Sequence, residues 1–127
     1  MTVALRIASG LLGLLLGLSF LNWLLTPAKA AAMLGMPLLE GVGRNSQVGD
    51  FTAFFFTLTV LIGLGVWRRQ PQPLFCACLL LGSAALFRVL AALLHDATLA
   101  PVSVAVEVVG TAVLLAYASR LGPSRSG

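Results

Sequence analysis

The chain has 127 residues, of which 59% are hydrophobic and 9% are charged, with a net charge of +4 and a mean hydropathy of +1.02. Ordinary soluble domains carry about 25% charged residues, and a fold of this size cannot hide so much apolar surface from water. The composition therefore excludes a soluble domain and predicts a membrane protein. The positive charge forms no basic stripe with interleaved aromatic residues, so we do not expect a nucleic-acid partner.

Four apolar segments are each close to the roughly 20 residues that a membrane-spanning helix needs. The predicted spans are residues 3–25, 47–67, 74–94 and 102–119. Prolines mark the breaks: Pro27 follows the first span, Pro71 and Pro73 separate the second from the third, and Pro101 stands at a helix start. We predict one all-α domain over residues 1–127, a polytopic four-transmembrane-helix bundle.

The first span resembles a signal peptide, because Arg6, an apolar run and Ala28-Lys29-Ala30 follow in the order that such peptides use. The apolar run is longer than a typical signal-peptide core. We therefore expect an uncleaved first span.

The connection from Thr26 to Asn45 is too apolar for a free loop. It predicts a short interfacial segment between the first two spans, on the outer surface of the membrane. Two roles stay open for it, plain anchoring or a lid over the polar residues described below. Glu40 and Arg44 are spaced to pair on a helix, and Gly41 allows a sharp entry into the second span.

Cys76 and Cys78 are the two cysteines of the chain. Two residues apart on a helix they point to different faces, so we expect no disulfide. We interpret them as small buried residues, with palmitoylation as the alternative. A C-x-C pair far from His95 is a weak metal signal, and a single histidine does not favour haem. We therefore expect no metal and no cofactor.

The positive residues indicate the orientation of the spans, because cytoplasmic loops of membrane proteins are enriched in Lys and Arg. Five arginines fall on one side and two positive residues on the other: Arg6, Arg68, Arg69, Arg120 and Arg125 against Lys29 and Arg44. This distribution predicts that both termini are cytoplasmic. Trp67 fits an interfacial anchor on the inner side and Trp23 one on the outer side.

Arg88 and Glu107 lie inside spans that are otherwise apolar, where charged residues by default face protein or water and mark a site. Arg88 follows Phe75 by 13 residues and Glu107 precedes Arg120 by 13, so each lies about 20 Å from the inner surface. The short connection between their spans makes these helices antiparallel neighbours. We therefore predict that the two charges meet in the outer half of the membrane.

Three further polar residues are expected near this level. Asn22 lies about 24 Å above Arg6, Asp50 about 27 Å above Arg68, and His95 two turns beyond Arg88 on the same helix face. All four spans thus bring a polar group to the outer half. We predict a ligand-binding pocket made of Asn22, Asp50, Arg88, His95 and Glu107.

Each of these residues has a structural alternative. Arg88 and Glu107 are also explained as a bridge that pairs two helices, since polar residues hold membrane helices together. Asp50 is also explained as a cap of its helix. Asn22 suits a hydrogen bond to a neighbouring helix, and His95 suits an exposed loop.

Gly13-x-x-x-Gly17 is a motif for close helix packing, which we expect to serve contacts inside the bundle rather than a homodimer. Four phenylalanines crowd the outer part of the second span: Phe51, Phe54, Phe55 and Phe56. Three roles are open for them: they line an apolar pocket, they pack in the core, or they face lipid.

The stretch Gly43-Arg44-Asn45-Ser46-Gln47-Val48-Gly49-Asp50-Phe51, with Leu86-Phe87-Arg88 in the third span and Glu107 in the fourth, resembles the small bacterial membrane proteins grouped as the domain of unknown function DUF4345. The resemblance covers nearly the whole chain. Asp50 stands where we expect a second glycine in that family. The resemblance implies a four-helix fold in a bacterial inner membrane and implies no activity.

Three functions are compatible with these features. The first is an accessory or assembly subunit of a larger membrane complex, whose partners are the lipid bilayer and other membrane subunits or a homo-oligomer. The second is a binder or enzyme for a small lipid-soluble ligand, in which Arg88 holds an anionic or carbonyl group and Glu107 or Asp50 moves protons. The third is a small transporter, which is disfavoured because the first span carries Asn22 and no carboxylate.

Overall fold

The computed structural model describes residues 1–122, and this part of the chain is all-helical. The helices are α1 (Thr2–Leu25), α2 (Pro27–Met33), α3 (Gly41–Arg68), α4 (Pro71–His95) and α5 (Pro101–Arg120). Four of them, α1, α3, α4 and α5, are long and apolar enough to cross a membrane. The predicted all-α membrane fold with four spans is confirmed.

Two of the long helices begin at proline. Pro71 opens α4 and Pro101 opens α5, positions where the missing N–H needs no partner. The link between α3 and α4 is therefore shorter than expected and consists of Arg69 and Gln70. Arg69 adopts a left-handed conformation (φ 52°), and the Gln70 N–H donates to the carbonyl of Gly65 at 3.2 Å. This tight end of α3 brings the two helices into contact immediately.

The start of α3 differs from the prediction, because the helix begins at Gly41 rather than near residue 47. Gly41 has a positive φ of 60°, which glycine adopts without strain, and it turns the chain sharply into the helix. Polar residues 44–47 therefore form early turns of α3 instead of a loop. Asp50 lies well inside the helix, so the interpretation that it caps α3 is wrong.

The four long helices form a ring. Helix α1 packs against α3 and α5, and α4 packs against α5 and α3. As a result α1 and α4 lie across the ring from each other. Because α1 and α5 are neighbours, the start of α1 lies beside the end of α5, where Arg120 Nη2 is 3.2 Å from Met1 Sδ.

The main core fills the ring. Its fully or nearly fully buried members are Leu16, Leu58, Ile62, Leu74, Ala77, Leu81, Leu114, Tyr117 and Ala118. Glycines allow the helices to approach: a Cβ atom at Gly13 would stand 3.0 Å from Ile62, and one at Gly17 would stand 3.3 Å from Thr59. Both glycines thus pack α1 against α3, which is the use inside the bundle that the sequence predicts.

Helix α2 covers the end of α1 and the start of α3. Ala30 and Ala31 of α2 are buried against Trp23, which is 1% exposed and stacks on Phe51 with ring centroids 4.6 Å apart. The predicted short helical segment between the first two spans is therefore present. Trp23 is not the interfacial anchor that we expected, because α2 folds back over it. Trp67 is 84% exposed near the end of α3, an exposure that is compatible with an interfacial anchor.

The segment after α2 is held to α3 by Gln47. Its Oε1 accepts from the Leu39 N–H at 2.8 Å, and its Nε2 donates to the Pro37 carbonyl at 3.1 Å. Arg44 Nε donates to the Leu39 carbonyl at 2.8 Å. The expected pair between Glu40 and Arg44 does not form, because the Arg44 guanidinium donates its hydrogen bond to the Leu39 carbonyl instead.

Candidate functional site

Arg88 and Glu107 meet as predicted. Arg88 Nε donates to Glu107 Oε1 at 2.9 Å, joining α4 to α5. The Glu107 side chain is 8% exposed and the Arg88 side chain 31%, so the carboxylate is buried and the guanidinium partly open. Among residues 1–122 this is the only ion pair in which the nitrogen and oxygen atoms lie within 4.0 Å of each other. Charges at this depth need such pairing, since an isolated buried charge is very costly.

The pair leaves hydrogen-bonding capacity unused. Glu107 Oε2 is buried and has no partner among residues 1–122. Arg88 bonds through Nε, and its two Nη groups have no partner in the same part of the chain. A guanidinium has five N–H donors, and a carboxylate accepts a fork of two of them in its strongest pairing. The single bond between Arg88 and Glu107 therefore leaves the outer edge of the guanidinium available.

The interface below the pair is built from small polar contacts. Thr111 Oγ1 donates to the Glu107 carbonyl at 2.7 Å, one helical turn away. Cys78 Sγ lies 3.7 Å from the Thr111 carbonyl and is half-buried, whereas Cys76 is exposed. The interpretation of both cysteines as small buried residues is therefore wrong for Cys76, which faces outward from α4.

An open cleft of about 480 Å³ lies between α3 and α4, next to the pair. We call it the α3–α4 cleft, and it is lined by Asp50, Phe51, Phe54, Ala84, Phe87, Arg88 and Ala91. Ala84 and Ala91 provide the space, because large side chains there would fill it. Two polar residues among aromatic walls are typical of a site for an amphipathic molecule.

Asp50 and Arg88 stand on opposite walls of this cleft and at nearly the same level. Asp50 lies 18 residues before the end of α3, about 27 Å, and Arg88 lies 17 residues after the start of α4, about 26 Å. Asp50 is exposed, and its side chain forms no ion pair or hydrogen bond with any of residues 1–122. The two opposite charges thus line one cleft without bonding to each other.

Asn22 lies elsewhere. It lines a small pocket of about 100 Å³ beneath α2, with Ser19, Trp23, Ala30, Met33, Leu34 and Phe55. It cannot reach Arg88, because α1 and α4 lie across the ring. Helix α2 borders Asn22 and covers Trp23, so it is not a lid over Arg88 and Glu107.

His95 is exposed at the last residue of α4 and lines neither the cleft nor the pocket of Asn22. Asp96 follows it in a left-handed conformation (φ 52°) and ends the helix. The five predicted residues therefore form no single pocket. Arg88, Glu107 and Asp50 lie together, while Asn22 and His95 lie apart from them.

No family model, curated protein or solved structure matches this chain. The resemblance to DUF4345 proteins therefore stays a prediction.

The sequence does not predict the roles of Gln47 and Phe87. Gln47 belongs to the stretch 43–51, but the sequence does not predict that it fastens residues 36–39. Phe87 was not recognised as a wall of the cleft. The available signal for Gln47 was an amide at the start of a predicted span, whereas Phe87 gave none beyond its position next to Arg88.

Proposed function

We propose that this small multi-pass membrane protein binds an amphipathic, lipid-soluble molecule in the α3–α4 cleft, with the polar group of that molecule on Arg88. The supporting observation is the single bond that Arg88 makes to Glu107. It anchors the guanidinium while leaving two Nη groups beside a cleft with aromatic walls. Glu107 is then a positioning residue, which holds Arg88 at the cleft through the buried carboxylate.

Native mass spectrometry of the protein, released from nanodiscs prepared directly from cell membranes, tests this proposal. The informative variant is Arg88→Met/Glu107→Leu, which removes both charges and leaves no buried carboxylate alone. Arg68→Met removes one exposed arginine and is the matched control.

The wild-type protein and Arg68→Met are expected to carry a bound small molecule that is lost from Arg88→Met/Glu107→Leu. A wild-type protein with no bound molecule would contradict the proposal. So would equal retention of the molecule by the double variant, provided that the circular dichroism of that variant is unchanged.

An accessory or assembly subunit is the second candidate function. It is favoured by an apolar groove of about 380 Å³ on the outside of α1 and α5, lined mainly by alanine, valine and leucine with Gly110 at its base. Small residues let a further helix approach closely. The same native spectra distinguish the two candidates, since an accessory subunit is expected to leave the membrane with another protein in a fixed ratio.

We further propose a bacterial inner-membrane location with both termini in the cytoplasm. In support, four arginines lie near the helix ends at one end of the bundle, Arg6, Arg68, Arg69 and Arg120, while Lys29 and Arg44 lie near the other end. Arg125, the remaining residue of the predicted inner set, lies outside the described residues.

A further inference from the structure

We propose that the molecule in the α3–α4 cleft is a zwitterionic phospholipid with a primary ammonium group, such as a phosphatidylethanolamine. This inference rests on the proposed function and names its ligand. Arg88 binds the phosphate and Asp50 binds the ammonium. The cleft holds both residues on opposite walls at nearly the same level.

The charge of the cleft selects such a head group. The positive charge of Arg88 is already balanced by Glu107, so Asp50 leaves the three residues with a net charge of −1. A purely anionic head group gains hydrogen bonds from Arg88 but is repelled by Asp50. A purely cationic ligand pairs with Asp50 and leaves the Arg88 Nη groups unused. A zwitterion satisfies both walls and adds no net charge.

The separation of Asp50 and Arg88 also favours a zwitterionic head group. Asp50 and Arg88 are not within 4.0 Å of each other, although both line a cleft of about 480 Å³. A group placed between them can bond to the unused Nη groups of Arg88 and to the Asp50 carboxylate at the same time. Arg Nη groups are strong donors to phosphate, and an aspartate only accepts hydrogen bonds. The ammonium must therefore carry N–H bonds, which excludes the quaternary ammonium of phosphatidylcholine from bonding to Asp50.

The remaining walls require an apolar body. Phe51, Phe54 and Phe87 surround the two charges and leave no further polar partner in the cleft. A water-soluble zwitterion such as a free amino acid gains nothing from these aromatic surfaces. The helices carrying the cleft are long and apolar enough to span a membrane, so acyl chains have direct access to it.

The test uses the full chain, stripped of lipid in detergent and then mixed with equal amounts of dioleoyl phosphatidylethanolamine, phosphatidylglycerol and phosphatidylcholine. Native mass spectrometry measures which lipid stays bound. We expect the wild-type protein to retain phosphatidylethanolamine about tenfold over the other two, since a charge-assisted hydrogen bond is worth about one decade in affinity.

Asp50→Asn is expected to abolish that preference, because the amide bears no charge for the ammonium. Asp96→Asn is the matched control: Asp96 is an exposed outer carboxylate in a left-handed conformation that asparagine tolerates, and its variant should behave as wild type.

A wild-type preference for phosphatidylglycerol, or an unchanged preference in Asp50→Asn, would overturn the zwitterion inference. If the phosphatidylglycerol so bound is then lost from Arg88→Met/Glu107→Leu, the proposed function stands without this ligand. Equal retention of all three lipids by wild type and by that double variant would overturn both.

Discussion

Removing Arg88 should destabilise this protein much more than removing Glu107, although the two side chains share one bond. Glu107 is 8% exposed, so Arg88→Met leaves a carboxylate buried without a counter-charge. Breaking a buried ion pair in this way costs about 3–5 kcal/mol. Arg88 is 31% exposed, so after Glu107→Leu the long side chain can extend toward the membrane surface. That variant should lose about 1 kcal/mol, the scale of one polar contact between membrane helices.

The double variant Arg88→Met/Glu107→Leu should be close to wild type in stability. Replacing a whole buried pair by apolar residues is often neutral or stabilising by about 1–4 kcal/mol. The two single effects are therefore expected to be strongly non-additive, as is usual for residues in direct contact.

The free energy of unfolding can be measured by titrating SDS into mixed micelles and following the helical circular dichroism. Arg68→Met, at an exposed arginine, controls for the loss of one positive charge. Two results would contradict the reasoning: Glu107→Leu as destabilising as Arg88→Met, or Arg88→Met within about 1 kcal/mol of wild type. Either result would show that the different burial of the two side chains does not set the cost of removing each one.

Three other predictions follow from the fold. Gly65→Ala should destabilise by about 1–3 kcal/mol in the same SDS titration, because its Cβ would collide with Leu74, while Gly63→Ala, which meets open space, should be neutral or slightly stabilising. Gln47→Leu should release residues 36–39, measured as faster amide exchange at Leu39, while α3 stays protected; unchanged exchange would refute the fastening role. Reporter fusions active only in the cytoplasm should work at both ends of the chain, and activity at one end alone would refute the orientation.

The architecture was predictable because the strongest signals in this chain are long apolar runs and prolines. A run near 20 residues between polar breaks has one stable outcome in a bilayer, a spanning helix. The beginning of α3 was harder to place, since residues 41–46 look like a loop by polarity. A positive φ at Gly41 and the contacts of Gln47 decide that boundary, and neither is visible in hydropathy.

The site was predictable in depth but not in grouping. Counting the rise per residue placed Arg88 and Glu107 at one level and Asp50 near it, and these three do lie together. Depth alone does not say which helices are neighbours in the ring, so Asn22 was assigned to a site that it cannot reach. The same limit applies to Trp23, whose burial depends on the direction in which α2 folds back.

The contact between Met1 and Arg120 places the start of α1 next to the end of α5. A short peptide joining the start of α1 to the end of α5 would turn residues 1–120 into a closed loop, which could be reopened at the tight link of Arg69 and Gln70. The permuted polypeptide would begin with α4 and end with α3, yet every span would keep its direction across the membrane. Helices now synthesised last would then be synthesised first, so we expect that the order of synthesis can change while the arrangement of the helices stays the same.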